Sequence, residues 1–335
     1  MKKTFLALLG SAALLASYSA SAADAVIADA PVPPTGSYVE VCDAFGAGYF
    51  YIPGSETCLK VGGAVEFNAG YDSRADESYA GVDAHIDFDT KADSEIGTIG
   101  TKLRLSTNSN SEFYNFPLGQ ETDIELAYIT VGPAFFGYKE TLFNDDFGYG
   151  DFAGVLDRTG NGLTVGFLQN DIVGGVYAGL ALEANEKGTF GADYNDEDFP
   201  SIVGRMGLAE QAWGGVDVSA VYSETDFDLW LVKATADLKA TDELEFRISA
   251  GYGENDLGDG YIASAAAKYA FTEQLTAFTG VVYADIDGMS DEGIAANGGV
   301  TYSVVKDLDL TGQVTYTETD GNDGWNSKFT LNRKF

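Results

Sequence analysis

The stretch from Asn144 to Asn161, NDDFGYGDFAGVLDRTGN, sets Asp145, Asp146, Asp151 and Asp157 among Gly148, Gly150 and Gly154 with no regular alternation. The chemistry such a stretch can do is electrostatic. Fixed carboxylates facing fixed cations across a narrow, wet gap create a transverse field that orders water and favours polar solutes over apolar ones. The cations available to face them are Lys102, Arg104, Lys139, Arg205 and Arg247, each on the polar parity of its own segment. The bland alternative is one more acidic surface loop.

Other clusters promise less. Asp83, His85, Asp87 and Asp89 share one parity, but residues two apart on a strand project in parallel, and the chain has no second histidine to converge on a metal. Asp320-Gly321-Asn322-Asp323-Gly324 opens like a calcium loop, yet Leu331 stands where such a loop supplies its twelfth-position acid. No G-x-S-x-G, H-E-x-x-H or phosphate-cradling glycine motif occurs, and a Ser–His lipid hydrolase would need His85 on an outer rim. The chain is therefore expected to be no enzyme, and to need no metal or cofactor. The only cysteines are Cys42 and Cys58, enclosing DAFGAGYFYIPGSET with its Pro53-Gly54 turn signal. In an exported protein an isolated pair is most simply a disulfide, worth about 3 kcal/mol in the chain-entropy model for a loop of this size.

The elements that must position these groups read as strands. Val61, Gly63, Val65, Phe67, Ala69 and Tyr71 fall on one parity, and Lys60, Glu66, Asn68 and Asp72 on the other. The same grammar sets Val82, Ala84, Ile86 and Phe88 against the aspartates and His85. It sets Leu244, Phe246, Ile248, Ala250 and Tyr252 against Glu245, Arg247 and Ser249, and Trp325, Phe329, Leu331 and Phe335 against Asn326, Lys328, Thr330, Asn332 and Lys334. Candidate strands centre near residues 65, 85, 102, 126, 138, 166, 178, 205, 219, 233, 248, 266, 280, 299, 313 and 330, the one at 126 losing parity around Tyr128-Ile129. That makes sixteen, an even number, as an all-antiparallel barrel with both ends on one side requires. Short connections (239–242, 305–307) alternate with long ones (185–200), and Tyr71, Tyr252, Tyr269, Tyr283 and Tyr316 sit near strand ends, where interfacial girdles lie. A soluble sandwich or propeller has no need of an apolar band on nearly every strand. The reading is an all-β, sixteen-stranded antiparallel transmembrane barrel over residues 60–335, closing on its C-terminal strand.

Residues 1–22 read as a secretory signal: Lys2 and Lys3, the apolar run from Phe5 to Leu15, and an A-x-A site at Ala20-Ser21-Ala22. Residues 23–59 are a small, proline-bearing leader followed by the cysteine hairpin. The formal charge is −33, from 52 acids and 19 bases; losing Lys2 and Lys3 makes it −35. That excludes nucleic acid as a partner and implies attendant cations.

The stretch YVEVCDAFGAGYFYIPGSETCLKVGG (Tyr38 to Gly63) resembles the N-terminal signature of the alphaproteobacterial porins, the family of the Brucella and Rhizobium general porins. AYITVGPAFFGYKETLF (Ala127 to Phe143) is similar to that family's fourth and fifth strands leading into its constriction loop, and Phe335 fits its C-terminal phenylalanine. The resemblance implies a homotrimer of water-filled pores passing small hydrophilic solutes, with an inward third loop matching 144–161. It also implies outer-membrane lipid and lipopolysaccharide as surroundings, and barrel-assembly machinery that meets Phe335. With its excess acid the pore is expected to prefer cations mildly. A substrate-specific channel and a non-conducting adhesin or structural barrel stand as alternatives.

Overall fold

The computed structural model describes residues 40–107, 122–143, 146–150, 161–184, 200–223, 229–255, 258–286, 293–319 and 321–335. The proposed signal and leader (1–39), the acidic turn residue Asp320 and most of the 185–200 connection lie outside them. After a 3-10 turn, Asp43–Phe45, and a two-residue strand β1 (Phe50–Tyr51), sixteen long strands follow. They are β2 (Cys58–Asp72), β3 (Glu77–Ala92), β4 (Ile99–Thr107), β5 (Thr122–Val131), β6 (Ala134–Glu140), β7 (Asn161–Val173), β8 (Val176–Glu183) and β9 (Ser201–Gln211). The second half comprises β10 (Gly214–Ser223), β11 (Leu229–Lys239), β12 (Leu244–Asn255), β13 (Gly258–Ala270), β14 (Leu275–Ile286), β15 (Gly293–Val305), β16 (Leu308–Thr319) and β17 (Asn322–Lys334). Each pairs antiparallel with its neighbours in sequence, and β17 pairs with β2 from Asn326↔Asp72 to Lys334↔Ala64, so the sheet is a closed sixteen-stranded barrel. No described helix is long and apolar enough to cross a membrane; the strands cross it.

Alternation decides which side chains meet lipid. On β2, Val61, Val65 and Phe67 are exposed outward while Ala64 and Asn68 are buried inward. On β16, Val314 points out and Gln313 and Thr315 point in. This is the inverse of a soluble protein: apolar outside, polar within, and every ladder hydrogen bond satisfied by a neighbour. Aromatic pairs ring the outer surface near strand ends. Tyr71–Trp325, Trp230–Tyr252 and Tyr261–Tyr283 sit at the long-loop end, and Tyr269–Phe271 at the short-turn end. Amphipathic rings are stable at that depth, where one edge is wet and the other greasy.

Connections at the end carrying Cys58 and Phe335 are tight. Between β7 and β8, Gly174 and Gly175 take φ 60° and 88°, the pair of positive values that matches a two-residue turn to strand twist. A Cβ at Gly175 would lie 2.3 Å from the Ala209 carbonyl oxygen, so glycine is required there on two counts. The loss of parity expected at Tyr128–Ile129 occurs slightly earlier. Arg104 pairs with Leu126 and Leu105 with Ile124, leaving Glu125 as the extra residue of a bulge. The bulge turns both Glu125 and Leu126 inward, which brings the Glu125 carboxylate to Arg104 at 3.3 Å.

The orientation of each face is testable. Val314→Lys, at mid-strand on the lipid side, should cost about 2–4 kcal/mol in urea unfolding from lipid vesicles, whereas inward Thr317→Lys should stay within about 0.5 kcal/mol. A larger loss at Thr317 than at Val314 would reverse the assignment of faces, and equal losses would remove it.

Candidate pore constriction

Beyond Glu140 the chain turns into the barrel instead of continuing outward. The Glu183 carboxylate of β8 accepts hydrogen bonds from the Thr141 hydroxyl at 2.7 Å and the Leu142 amide at 2.6 Å, and the Thr141 hydroxyl accepts from the Phe143 amide at 3.1 Å. Leu142 and Phe143 are then 2% and 5% exposed against Phe135, Ala181, Val203 and Val221, with Leu168 and Leu231 packed alongside. Those wall residues occupy inward parity, where water would otherwise face them. Burying a Leu and a Phe side chain contributes roughly 1.5–3 kcal/mol each, enough to hold the start of the loop against the wall.

Residues 146–150 continue across to β11–β16. The Asp146 carbonyl accepts from the Lys233 ammonium, and its carboxylate lies 3.3 Å from the Arg247 guanidinium. The Phe147 ring sits 3.9 Å from the Lys233 nitrogen and packs on an inward apolar patch of Ile262, Val282 and Ala284. Tyr149 presents its ring to Lys268 at 4.9 Å and Arg247 at 5.4 Å, while its carbonyl accepts from Asn297 at 2.8 Å. Burial, with Asp237 and Glu245 nearby, holds the Tyr149 phenol above its usual range against the opposing pull of Arg247. It is therefore a neutral ring over two cations. At Gly150, φ is 79°, and a Cβ would lie 2.4 Å from Phe278 and 2.5 Å from Gln313, so no other residue fits the place where the loop meets the wall.

Of the loop aspartates, Asp146 is the one described; Asp145, Asp151 and Asp157 lie outside the described residues. The five expected cations all face the interior, but they divide in their partners. Arg247 meets the loop, and is also clamped by Asp237 through 2.7 and 3.2 Å bonds. Arg104 forms a two-pronged pair with Asp87 at 2.7 and 3.0 Å, and Lys102 lies 3.6 Å from Asp89. Arg205 binds Asp217 at 2.7 Å, an acid that also accepts from the Tyr177 hydroxyl. Lys139 lies 5.2 Å and 5.9 Å from the Phe135 and Tyr128 rings and donates to the Glu140 carbonyl at 3.3 Å. Four of the five thus find their carboxylates or rings on the wall itself rather than across the gap. Among the described residues no group of His, Cys, Asp and Glu is arranged to hold a metal; Asp83 accepts from Asn68 at 3.0 Å and Asp87 is taken by Arg104.

The family model for the porin subfamily matches residues 24–334. This chain belongs to that family. It is 31% identical to porin Omp2a of Brucella suis biovar 1 (strain 1330), over 94% of this chain and 92% of the relative. Among solved structures, the outer membrane channel DcaP of Acinetobacter baumannii superposes with TM-score 0.65 at 12% identity, covering 85% of this chain and 99% of the other. OmpT of Vibrio cholerae in trimer form gives 0.61 at 10%, covering 84% and 100%. These two show the fold alone. The protein is an outer-membrane channel of the porin family, and porins are channels rather than enzymes.

Two cations of this porin's inner wall, Lys233 and Lys268, escaped sequence reasoning. Both share parity with small polar residues of their own strands that are buried inward, Thr235 on β11 and Ser264 on β13, so alternation alone would have found them. Nothing in the sequence indicates that Lys233, at 1% exposure, is sealed beneath the loop. A bond from a charged donor is worth about 1.5–3 kcal/mol. Lys233→Met should therefore accelerate amide hydrogen exchange at residues 146–150 by roughly 10-fold or more while the strands keep their protection. Uniform acceleration around the barrel would mean that Lys233 supports the wall and not the loop.

Proposed function

We propose that this porin passes small hydrophilic solutes and ions by passive diffusion, with a mild preference for cations, through a lumen narrowed by the 144–161 loop. The observation that carries the reading is the inward placement of residues 141–143 and 146–150. They cover the apolar inner wall of β6–β11 and leave the polar inner wall of β2–β5 and β17 as the wet side. Cation preference is supported by the pairing of basic residues around the inner face of the barrel, on β4, β9, β12 and β13. Lys102, Arg104, Arg205, Arg247 and Lys268 are each paired with a carboxylate. Glu66 and Asp83 add further acid on the same inward face, where they are bound to Asn68. On this reading Asp145, Asp151 and Asp157 join Asp146 on the negative side of the constriction.

The wider assembly follows the same reading: export with cleavage after Ala22, a homotrimer as in the trimer form of OmpT, and an apolar belt facing outer-membrane lipid and lipopolysaccharide. The C-terminal Phe335 would be the residue met by the assembly machinery. A polar recess lined by Asn68, Tyr79, Asp83, Gln313, Asn326 and Lys328 favours a second reading, a channel with a defined solute site.

Single-channel currents in a KCl gradient test both. Diffusion with cation preference gives discrete steps and a reversal potential on the cation side, smaller at 1 M than at 0.1 M salt as the screening length falls from about 10 Å to about 3 Å. Reversal on the anion side removes the cation preference. Saturable block by a single solute moves the reading to a specific channel.

A further inference from the structure

Residues 41–57 precede the sixteen long strands yet are bound to the wall at several points. β1 pairs antiparallel with the start of β2 (Phe50↔Leu59, Tyr51↔Cys58), on the edge left vacant below the end of β17. Val41 bridges Phe50, the Cys42 amide donates to the Tyr49 carbonyl at 2.9 Å, and the Ile52 amide donates to Thr57 at 2.9 Å. Cys42 and Cys58 form a disulfide with their Cα atoms 6.0 Å apart. Cys58 shares parity with Lys60, Ala64 and Asn68, the inward face of β2, so the bridge folds residues 42–49 over the inside of the wall. Cys42, Tyr49 and Cys58 are buried there together, with Phe45 and Tyr51 against them.

What they lie against is specific, a half-buried Lys91 and an exposed Lys60. Lys60 is the only Lys or Arg on β2 and Lys91 the only one on β3. Both are inward, at the end carrying the short turns, which faces the periplasm in an outer-membrane barrel. The Tyr49 ring lies 5.4 Å from the Lys91 nitrogen and 5.9 Å from that of Lys60, and the Phe45 ring 6.0 Å from Lys91. Gly48 rests on the Lys60 stem, where a Cβ would stand 3.5 Å from Cε. A ring face within about 6 Å of an ammonium attracts it and occupies the space in which an anion would approach.

We propose that the disulfide-closed hairpin is a second specificity element of the pore, set at its periplasmic exit: it narrows that mouth over β2 and β3 and uses Phe45 and Tyr49 to mask Lys91, and Tyr49 to screen one side of the more exposed Lys60, from passing anions. The proposal rests on the diffusion-channel reading. It is measured as a difference between variants, so it stands or falls whichever ion the intact pore prefers.

The test is the full-length exported porin in planar bilayers under a KCl gradient. Phe45→Ala/Tyr49→Ala, which leaves the disulfide in place, should raise single-channel conductance roughly 1.5-fold and move the reversal potential toward chloride. Adding Lys60→Gln/Lys91→Gln to that variant should cancel the reversal shift while the higher conductance remains. Cys42→Ser/Cys58→Ser should act in the same direction as the aromatic variant; if it does not assemble, the aromatic variant still decides. A folded Phe45→Ala/Tyr49→Ala channel with unchanged conductance and reversal potential overturns the proposal and leaves the hairpin a staple at the barrel seam. A reversal shift that survives removal of both lysines overturns the masking.

Discussion

An unpaired main-chain N–H or C=O in hydrocarbon costs several kcal/mol, so a sheet that enters a membrane cannot keep an edge. Everything else in this molecule follows from meeting that demand between β17 and β2. Their ladder runs to Lys334↔Ala64, and Phe335 adds a reciprocal main-chain pair with Gly63 at 3.0 and 3.1 Å. With the ring closed, each side chain has two destinations, lipid or interior, and alternation assigns them except where a bulge intervenes, as at Glu125. The closeness at the seam is visible in Gly63, where a Cβ would lie 2.4 Å from the His85 carbonyl oxygen and 2.8 Å from the Phe335 ring.

The interior so created is not uniform. On β6–β11 inward positions carry Phe135, Leu168, Ala181, Val203, Val221 and Leu231, residues that would be badly placed against water. The loop after β6 resolves the conflict by laying Leu142 and Phe143 on them, which turns that side of the ring into an ordinary protein core. It then reaches β11–β16 through Asp146, Phe147 and Tyr149. Barrel wall and loop therefore depend on each other: the apolar inner patch needs the loop, and the loop has its binding surface in the patch. On the opposite side, Arg104–Asp87 and Lys102–Asp89 pair charges between neighbouring strands of a polar wall.

Most of the wall was legible because period-two alternation, even strand count and turn chemistry are local signals. All sixteen expected strand centres fall within the observed strands. The misplacement at β5 has a physical source: a bulge inserts a residue without any composition cue, so Glu125 and Leu126 both face in and the apparent break drifts toward Tyr128. The site was less legible. Which cations face inward follows from parity, but whether Arg205 meets the loop or Asp217 is set by neighbours a full strand away. The apolar inner residues of β6–β11 were readable as strands yet not as a docking surface, since their partner comes from a loop with no periodicity of its own.

The seam also governs the order of events in time. Ala64 and Lys334 pair at opposite ends of the chain, and nearly every other strand pairing is with an immediate successor. Hairpins can form early and cheaply, while the entropy of bringing distant ends together grows with the length between them. Until the final strand arrives, β2 presents an open edge and the growing sheet two, the condition under which strands pair with the wrong chain. The strand that completes the ring, β17, is thus the one that makes the molecule safe. A chain of this design gains its protection only when the ring is complete, however early its hairpins form.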